Sequence, residues 1–209
     1  MKKDRNCGLC GNQSCEEFRN SIKKGLKKEN DCPFYMKDRN TTIIKDNTDT
    51  HGNKYDFILK AIGDEISARK IVRPFRPDLI EKLDIKKDDI VVGRPMGAGC
   101  PVTHVLKVYE VDNLAGLLYT WVVGPAYSRG KEVKDISAYA MIGFEGIAEN
   151  IVSHPKVGLA AGFMPNFCML RLTHYGLVNK VLNTSEGIVV RIEDIHIANY
   201  KEKEWKRNM

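Results

Sequence analysis

Four cysteines stand in the first thirty-two residues of the chain, and their spacing constrains this segment more than any other feature. Three of them lie within nine residues, in the stretch CGLCGNQSC. The fourth follows alone in DCPFY and is followed by a proline. The pattern is C-x2-C-x4-C-x16-C-P, formed by Cys7, Cys10, Cys15 and Cys32. Thiols at this density indicate a disulfide framework, a metal centre or a catalytic site.

The compartment expected for the protein distinguishes a disulfide framework from a metal centre or a catalytic site. The chain starts MKKDRNC, without the apolar segment of a secretory signal, so we expect a cytoplasmic protein. Cytosolic thiols stay reduced, which favours metal or catalysis over disulfides. The longest apolar run, residues 114–126, is too short to span a bilayer and indicates a buried strand. A hydrophobic fraction of 43% suits a globular protein, and the net charge of +6 permits an acidic partner without demanding nucleic acid.

The spacing favours an iron–sulfur cluster over zinc. Structural zinc usually takes two short cysteine pairs, each on its own turn. Here one loop offers three thiols and a distant residue offers the fourth, as a [4Fe-4S] cubane requires. Gly8 and Gly11 let the backbone turn closely beside the first two cysteines. We therefore predict one oxygen-sensitive [4Fe-4S] cluster, with zinc or four unrelated thiols as the alternatives.

A helix is predicted directly after the third cysteine. The sequence SCEE is a capping-box pattern, with Ser14 as N-cap and Glu17 at the third helical position. We expect the helix to run to about Lys28, with one apolar face and one basic face. The basic face would steer an acidic redox partner such as a ferredoxin. The apolar face would hold Phe18, Ile22 and Leu26, and the basic face Arg19, Lys23, Lys24, Lys27 and Lys28.

Residues 4–36 resemble a known cluster-binding unit. The resemblance is to the small four-cysteine [4Fe-4S] domain of the corrinoid iron–sulfur protein large subunit and of Rnf-type B subunits. It implies ligation by four cysteines but no particular reaction. The rest of the chain resembles an uncharacterised group of predicted archaeal iron–sulfur proteins. The residues that match the domain's pattern are Cys7, Cys10, Gly11, Cys15, Cys32 and Pro33.

The remaining chain predicts an α+β fold. We expect a cluster module at 1–37, a polar connector at 38–54 and an α+β domain at 55–209. That domain would have two or three helices on a mainly antiparallel sheet that can close as a barrel. Isoleucines at every fourth position predict a helix over 55–70, and apolar spacing predicts another over 134–154. Further predictions are a short helix at 78–83 and strands within 88–95, 104–125, 167–184 and 186–200.

The stretch GRPMGAGCPVTH, from Gly93 to His104, is the candidate small-molecule site. Arg94 could hold an anionic group, for instance of a flavin, while N–H groups near Gly97 and Gly99 cradle it. Cys100 or His104 would then face the reacting part. The alternative is a tight corner that needs glycine for its backbone angles.

Two further readings remain open. Cys100 and His104 could form a second metal site with Cys168 and His174 if their strands meet; otherwise these are ordinary buried residues. For the whole protein we predict single-electron transfer to a protein partner or to a site in its own C-terminal domain. A redox enzyme and a structural or sensor cluster are the alternatives, and an oligomer is possible.

Overall fold

The computed structural model describes residues 4, 10–32 and 47–197. Within these residues strands dominate and helices are few. The helices are α1 (Cys15–Lys23) and α2 (Asp78–Lys82), with 3-10 turns at Glu29–Asp31 and Pro125–Ser128. The strands are β1 (Phe57–Lys60), β2 (Arg69–Pro74), β3 (Ile90–Met96), β4 (His104–Asp112), β5 (Leu117–Val122), β6 (Lys134–Glu149), β7 (Ala160–Pro165), β8 (His174–Thr184) and β9 (Gly187–Ile197).

The nine strands form one sheet in the order β1-β7-β8-β9-β6-β2-β5-β4-β3. Two additional pairings, β1 with β6 and β6 with β3, close this sheet on itself twice. The result is two rings of five strands that share β6. Most pairs are antiparallel, while β1–β7 and β3–β6 are parallel. The predicted mainly antiparallel sheet is present, but its two closures make it more complex than a simple barrel.

Each ring encloses its own apolar core. Phe57, Phe163 and Val190 are fully buried in the β1-β7-β8-β9-β6 ring, and Leu106 and Leu118 in the other. Met141, on the shared strand β6, packs against both cores. The long strand β6 therefore joins two hydrophobic centres that other strands complete.

The helix predicted over 55–70 is wrong. This region contains β1, a turn and the start of β2. Its isoleucines recur every four residues, which is close to a helical turn. Only Ile58 lies in a strand, which pairs with β6 and β7, whereas Ile62 and Ile66 lie in the turn before β2.

The helix predicted over 134–154 is also wrong, because β6 occupies most of it. Ser137 has a positive φ of 60°, and the pairing with β3 shifts register near it. Such a bulge breaks strict alternation. Further along, Gly143–Gly146 are all buried, since the strand there has neighbours in both rings. A strand without a period of two therefore resembles a helix in its sequence pattern.

Other predictions are confirmed. The short helix near 78–83 is α2, and the predicted pair of strands in 104–125 is the β4–β5 hairpin. The strands expected within 88–95, 167–184 and 186–200 are β3, β8 and β9. Part of the connector expected at 38–54 lies outside the described residues. Its described end, 47–54, forms a turn closed by a bridge between Thr48 and Lys54. The division into three segments stays a prediction.

Candidate functional site

Three of the four predicted cluster ligands lie in the described residues. Cys10 is buried in the loop before α1, Cys15 is the first residue of α1, and Cys32 caps the 3-10 turn Glu29–Asp31. All three are thiols rather than disulfides. Cys7 and Pro33 lie outside the described residues. Within the described part of the chain, no three metal-binding side chains gather into one ion site.

Helix α1 begins as predicted. The Ser14 hydroxyl accepts a hydrogen bond from the Glu17 amide at 3.1 Å, and the Glu17 carboxylate accepts one from the Gln13 amide at 2.8 Å. Cys15 therefore sits at the positive end of the helix dipole, which favours the negative charge of a bound cluster. Phe18 is buried and anchors the helix.

The helix ends earlier than the predicted Lys28, at Lys23. The Leu26 amide bonds the Ser21 carbonyl and the Gly25 amide bonds the Ile22 carbonyl, which is the Schellman arrangement. Gly25 has a φ of +69°, as that arrangement requires. Leu26 therefore leaves the predicted apolar face and is exposed.

The loop between Cys10 and Cys15 has a bend that only glycine fits well. Gly11 has a φ of +78°, and a Cβ there would lie 3.1 Å from the Lys27 ammonium. That ammonium donates to the Cys10 carbonyl oxygen. The Asn12 side-chain amide donates to the Ser21 hydroxyl at 3.1 Å. These contacts hold the loop against α1, and a soft, thiol-based donor set at a helix N-terminus fits an iron–sulfur cluster.

The cysteine loop lies beside the strand domain. A Cβ on Gly11 would lie 4.0 Å from the Ala126 carbonyl oxygen, in the 3-10 turn Pro125–Ser128. The next residue, Tyr127, is buried in an apolar cluster with Val105 and Val123. Phe167 packs against that cluster. Phe167 also lines the pocket described next, so the apolar cluster near the loop and the pocket share this side chain.

A pocket open to solvent on one side lies where residues of β2, β4, β6 and β8 meet the loops that precede β2, β4 and β8. Cys100, His104, Cys168 and His174 all line it, so the structure brings together the four residues considered for a second metal site. They do not form an ion-binding group among the described residues. The two thiols and two imidazoles share one cavity without converging on one point.

A buried lysine organises the polar side of this pocket. The Lys70 ammonium lies 2.9 Å from the Tyr139 hydroxyl and 2.7 Å from His104 Nδ1. The Tyr139 hydroxyl is itself 2.7 Å from His104 Nδ1, and His104 Nε2 is 3.8 Å from the Cys100 sulfur. Because Nδ1 has one lone pair, a consistent chain runs from Lys70 through Tyr139 to His104 and on to Cys100.

Burial shifts these groups towards their neutral forms. It lowers the pKa of Lys70 to about 7. It also lowers the pKa of His104 to about 3, with the Lys70 charge adding to the effect, and that of His174 to about 4. Burial raises the pKa of Tyr139 well above its usual value. All four shifts follow from removing a charge from water.

The predicted anion cradle lies elsewhere on the same turn. The Arg94 side chain is exposed and its guanidinium lies 3.0 Å from the Met96 sulfur. Gly97 and Gly99 have positive φ angles of 81° and 80°. None of these three residues lines the pocket, whereas Cys100 and His104 do.

Sequence reasoning missed Lys70 and the hydrogen bonds of the Tyr139 hydroxyl. A strand reading of residues 69–74 would have put Lys70 on the same face as Val72 and Pro74, which are buried. Reading 55–70 as a helix hid this alternation. The contacts of Tyr139 were hidden in the same way, inside the segment read as a second helix.

Comparisons with known proteins agree with the prediction of an iron–sulfur cluster near the N-terminus. Residues 4–34 match the family model described as "Putative Fe-S cluster". Over 212 aligned positions the chain is 32% identical to the uncharacterized protein MJ0119 of Methanocaldococcus jannaschii, covering 92% of this chain and 88% of that protein. No solved structure matches. In the described residues, no helix has the length and apolar character needed to cross a membrane.

Proposed function

The chain belongs to the same family as this M. jannaschii protein, and we propose that it carries one [4Fe-4S] cluster on Cys7, Cys10, Cys15 and Cys32. The match of residues 4–34 to the family model described as "Putative Fe-S cluster" supports an iron–sulfur protein. The cubane type is our proposal from the three-plus-one spacing of the thiols. When bound, such a cluster supplies one-electron oxidation and reduction.

We propose single-electron transfer as the role of this protein, with the pocket of its own C-terminal domain as one destination. The observation that carries this is the approach of the cysteine loop to Ala126, next to an apolar cluster that shares Phe167 with the pocket lining. The pocket contributes the Cys100 thiol and, beside it, the hydrogen-bonded side chains of Lys70, Tyr139 and His104. Reduction of a bound molecule needs protons as well as electrons, and Lys70 with Tyr139 and His104 can relay them.

A protein partner is the other destination. Lys23, Lys24 and Lys28 are exposed around the end of α1, so an acidic redox protein such as a ferredoxin fits there. Arg19 and Lys27 are engaged instead, Arg19 with Asp4 and Lys27 with the Cys10 carbonyl. Reduced thiols as ligands suit a cytoplasmic location.

A redox enzyme that binds a flavin or another anionic small molecule is the second candidate. The observation that favours it is the pocket itself, where a buried lysine and two thiols line one cavity. In this reading Lys70, rather than Arg94, would hold the anionic group. A purely structural or sensor cluster would not need such a pocket.

A serine scan of the six cysteines tests the cluster assignment. Under anaerobic purification, Ser at Cys7, Cys10, Cys15 or Cys32 should strip or degrade the brown chromophore and lower the iron content. Cys100→Ser and Cys168→Ser are the matched controls, since they line the pocket and should retain iron. Loss of iron in either control, with full retention in Cys10→Ser, would refute the assignment.

A further inference from the structure

Lys70 is a buried lysine whose two hydrogen-bonding neighbours are neutral. Its side chain is 1% exposed and contacts His104 and Tyr139. Burial keeps both of these groups uncharged near neutral pH. The ring faces of Tyr139 and Phe144 lie 5.3 and 5.7 Å from the ammonium, which compensates its charge only in part.

No carboxylate balances this lysine within the described residues. The pocket lining contains neither aspartate nor glutamate. Glu145 is buried on β6, next to Phe144 in the sequence. Its carboxylate pairs with other cations, since Oε1 lies 3.2 Å from Lys180 Nζ and 3.8 Å from Arg69 Nη1. An ammonium in apolar surroundings without a counter-charge is costly, so a site of this kind favours an incoming anion.

We propose that this pocket binds a small organic anion, with its charged group on the Lys70 ammonium and its apolar part against Phe144, Phe167 and Met169. The inference deepens the second candidate function and rests on the same pocket, but it needs neither the cluster nor electron transfer. An ammonium has three hydrogens, and its neighbours among the described residues accept at most two. At least one N–H therefore remains for the ligand.

The pocket supplies polar and apolar parts in separate places. Asn166 uses Oδ1 to accept from the Ala68 amide at 3.3 Å, which leaves its Nδ2 hydrogens for a second contact with the anion. The apolar lining beside it is provided by aromatic and aliphatic side chains. A pocket that is mostly apolar with a few fixed polar groups is typical of sites for small organic molecules.

Binding should depend on pH through Lys70. The titratable groups facing it are Cys100, His104, Tyr139, Cys168 and His174. With a pKa of about 7, Lys70 is largely protonated below neutrality and loses its charge above it. An anion binds the charged form, so its affinity should fall as pH rises past about 7, approaching tenfold per pH unit.

Calorimetric titration of the anaerobic protein with benzoate tests the proposal. Benzoate is the probe because it joins a carboxylate to a flat apolar ring. We expect saturable binding with one site per chain at about pH 6 and at least tenfold weaker binding at about pH 9. Benzamide, which has the same shape without the charge, should bind at least tenfold more weakly at about pH 6.

A pair of variants completes the test. Lys70→Met removes the charge and should abolish benzoate binding, whereas Lys60→Met removes an exposed lysine paired with Glu149 and should not change it. The proposal is overturned if benzoate does not bind, if benzamide binds equally well, or if Lys70→Met binds benzoate like the wild type. The benzamide comparison uses only wild-type protein, so it holds even if Lys70→Met does not fold. Iron content is measured on the same samples, which separates this result from the cluster assignment.

Discussion

Two histidines of the pocket sit in apolar surroundings, and burial is the main reason that the pKa of each falls below its usual value of 6.5. His104 reaches about 3 and His174 about 4. His174 Nδ1 bonds the Leu172 carbonyl at 2.9 Å, which fixes its neutral tautomer with hydrogen on Nδ1. Both rings are therefore neutral in the folded protein over a pH range where the unfolded chain is protonated.

This difference predicts acid sensitivity. Between about pH 6.5 and 4 the unfolded chain binds more protons than the folded one, so the free energy of unfolding falls as pH falls. Each histidine can cost up to about 1.4 kcal/mol per pH unit. The double variant His104→Gln, His174→Gln should lose less stability than the wild type between about pH 7 and 4.5, measured by urea denaturation.

The control for this prediction is His154→Gln, at an exposed position. It should keep the wild-type pH dependence. An equal loss of stability in the wild type and in the double variant would show that these two imidazoles do not govern the acid limb.

Among the elements, α1 and β6 show what the sequence could and could not reveal. The start of α1 was predictable because the capping residues are local, within Ser14–Glu17. The strand β6 was not predictable, because its neighbours come from β1, β2, β3 and β9. Its burial reflects those distant partners rather than its own period. Lys70 on β2 was missed for a similar reason, while Cys100 and His104 could be singled out because their turn is unusual in composition.

The exposed lysines after α1 should set the association rate with an acidic ferredoxin. Changing Lys23, Lys24 and Lys28 to Glu should slow electron exchange and flatten its salt dependence, since exposed charges act within about 10 Å at 0.1 M salt. Lys27 is left unchanged because it holds the Cys10 carbonyl. Stopped-flow exchange kinetics at several salt concentrations measure the effect.

The matched control reverses three exposed lysines around α2: Lys82, Lys86 and Lys87. It changes the net charge by the same amount and should affect the rate much less. If both triple variants behave alike, net charge alone explains the rate and α1 is not the docking surface.

The close pairing of β1 with β6 depends on one glycine, Gly146. A Cβ on Gly146 would overlap the Lys60 carbonyl oxygen and press on Leu59 and Ala68. Backbone cannot move away as a flexible side chain can, so Gly146→Ala should destabilise the protein by roughly 3 kcal/mol or more, as severe overpacking does. Gly158→Ala is the control: it has open space and a φ of +84°, and should cost about 1 kcal/mol. Equal midpoints of thermal unfolding for the two variants would contradict the close approach of β1 and β6 at Gly146.

In the whole molecule, one small cysteine-bearing segment lies against a doubly closed sheet. The loop at Gly11 approaches the 3-10 turn Pro125–Ser128, and the apolar cluster under that turn shares Phe167 with the pocket lining. The sequence indicated a cluster segment and a strand-rich remainder. Their adjacency could not be read from it, because it depends on which strands pair across more than a hundred residues, as β1 and β7 do.

Whether Cys7, Cys10, Cys15 and Cys32 hold a cubane is decided by counting iron and acid-labile sulfide per chain in anaerobically purified protein, with EPR of the dithionite-reduced sample. We expect about four irons and four sulfides per chain and the EPR signal of a reduced [4Fe-4S] cluster. One zinc per chain without iron would contradict it.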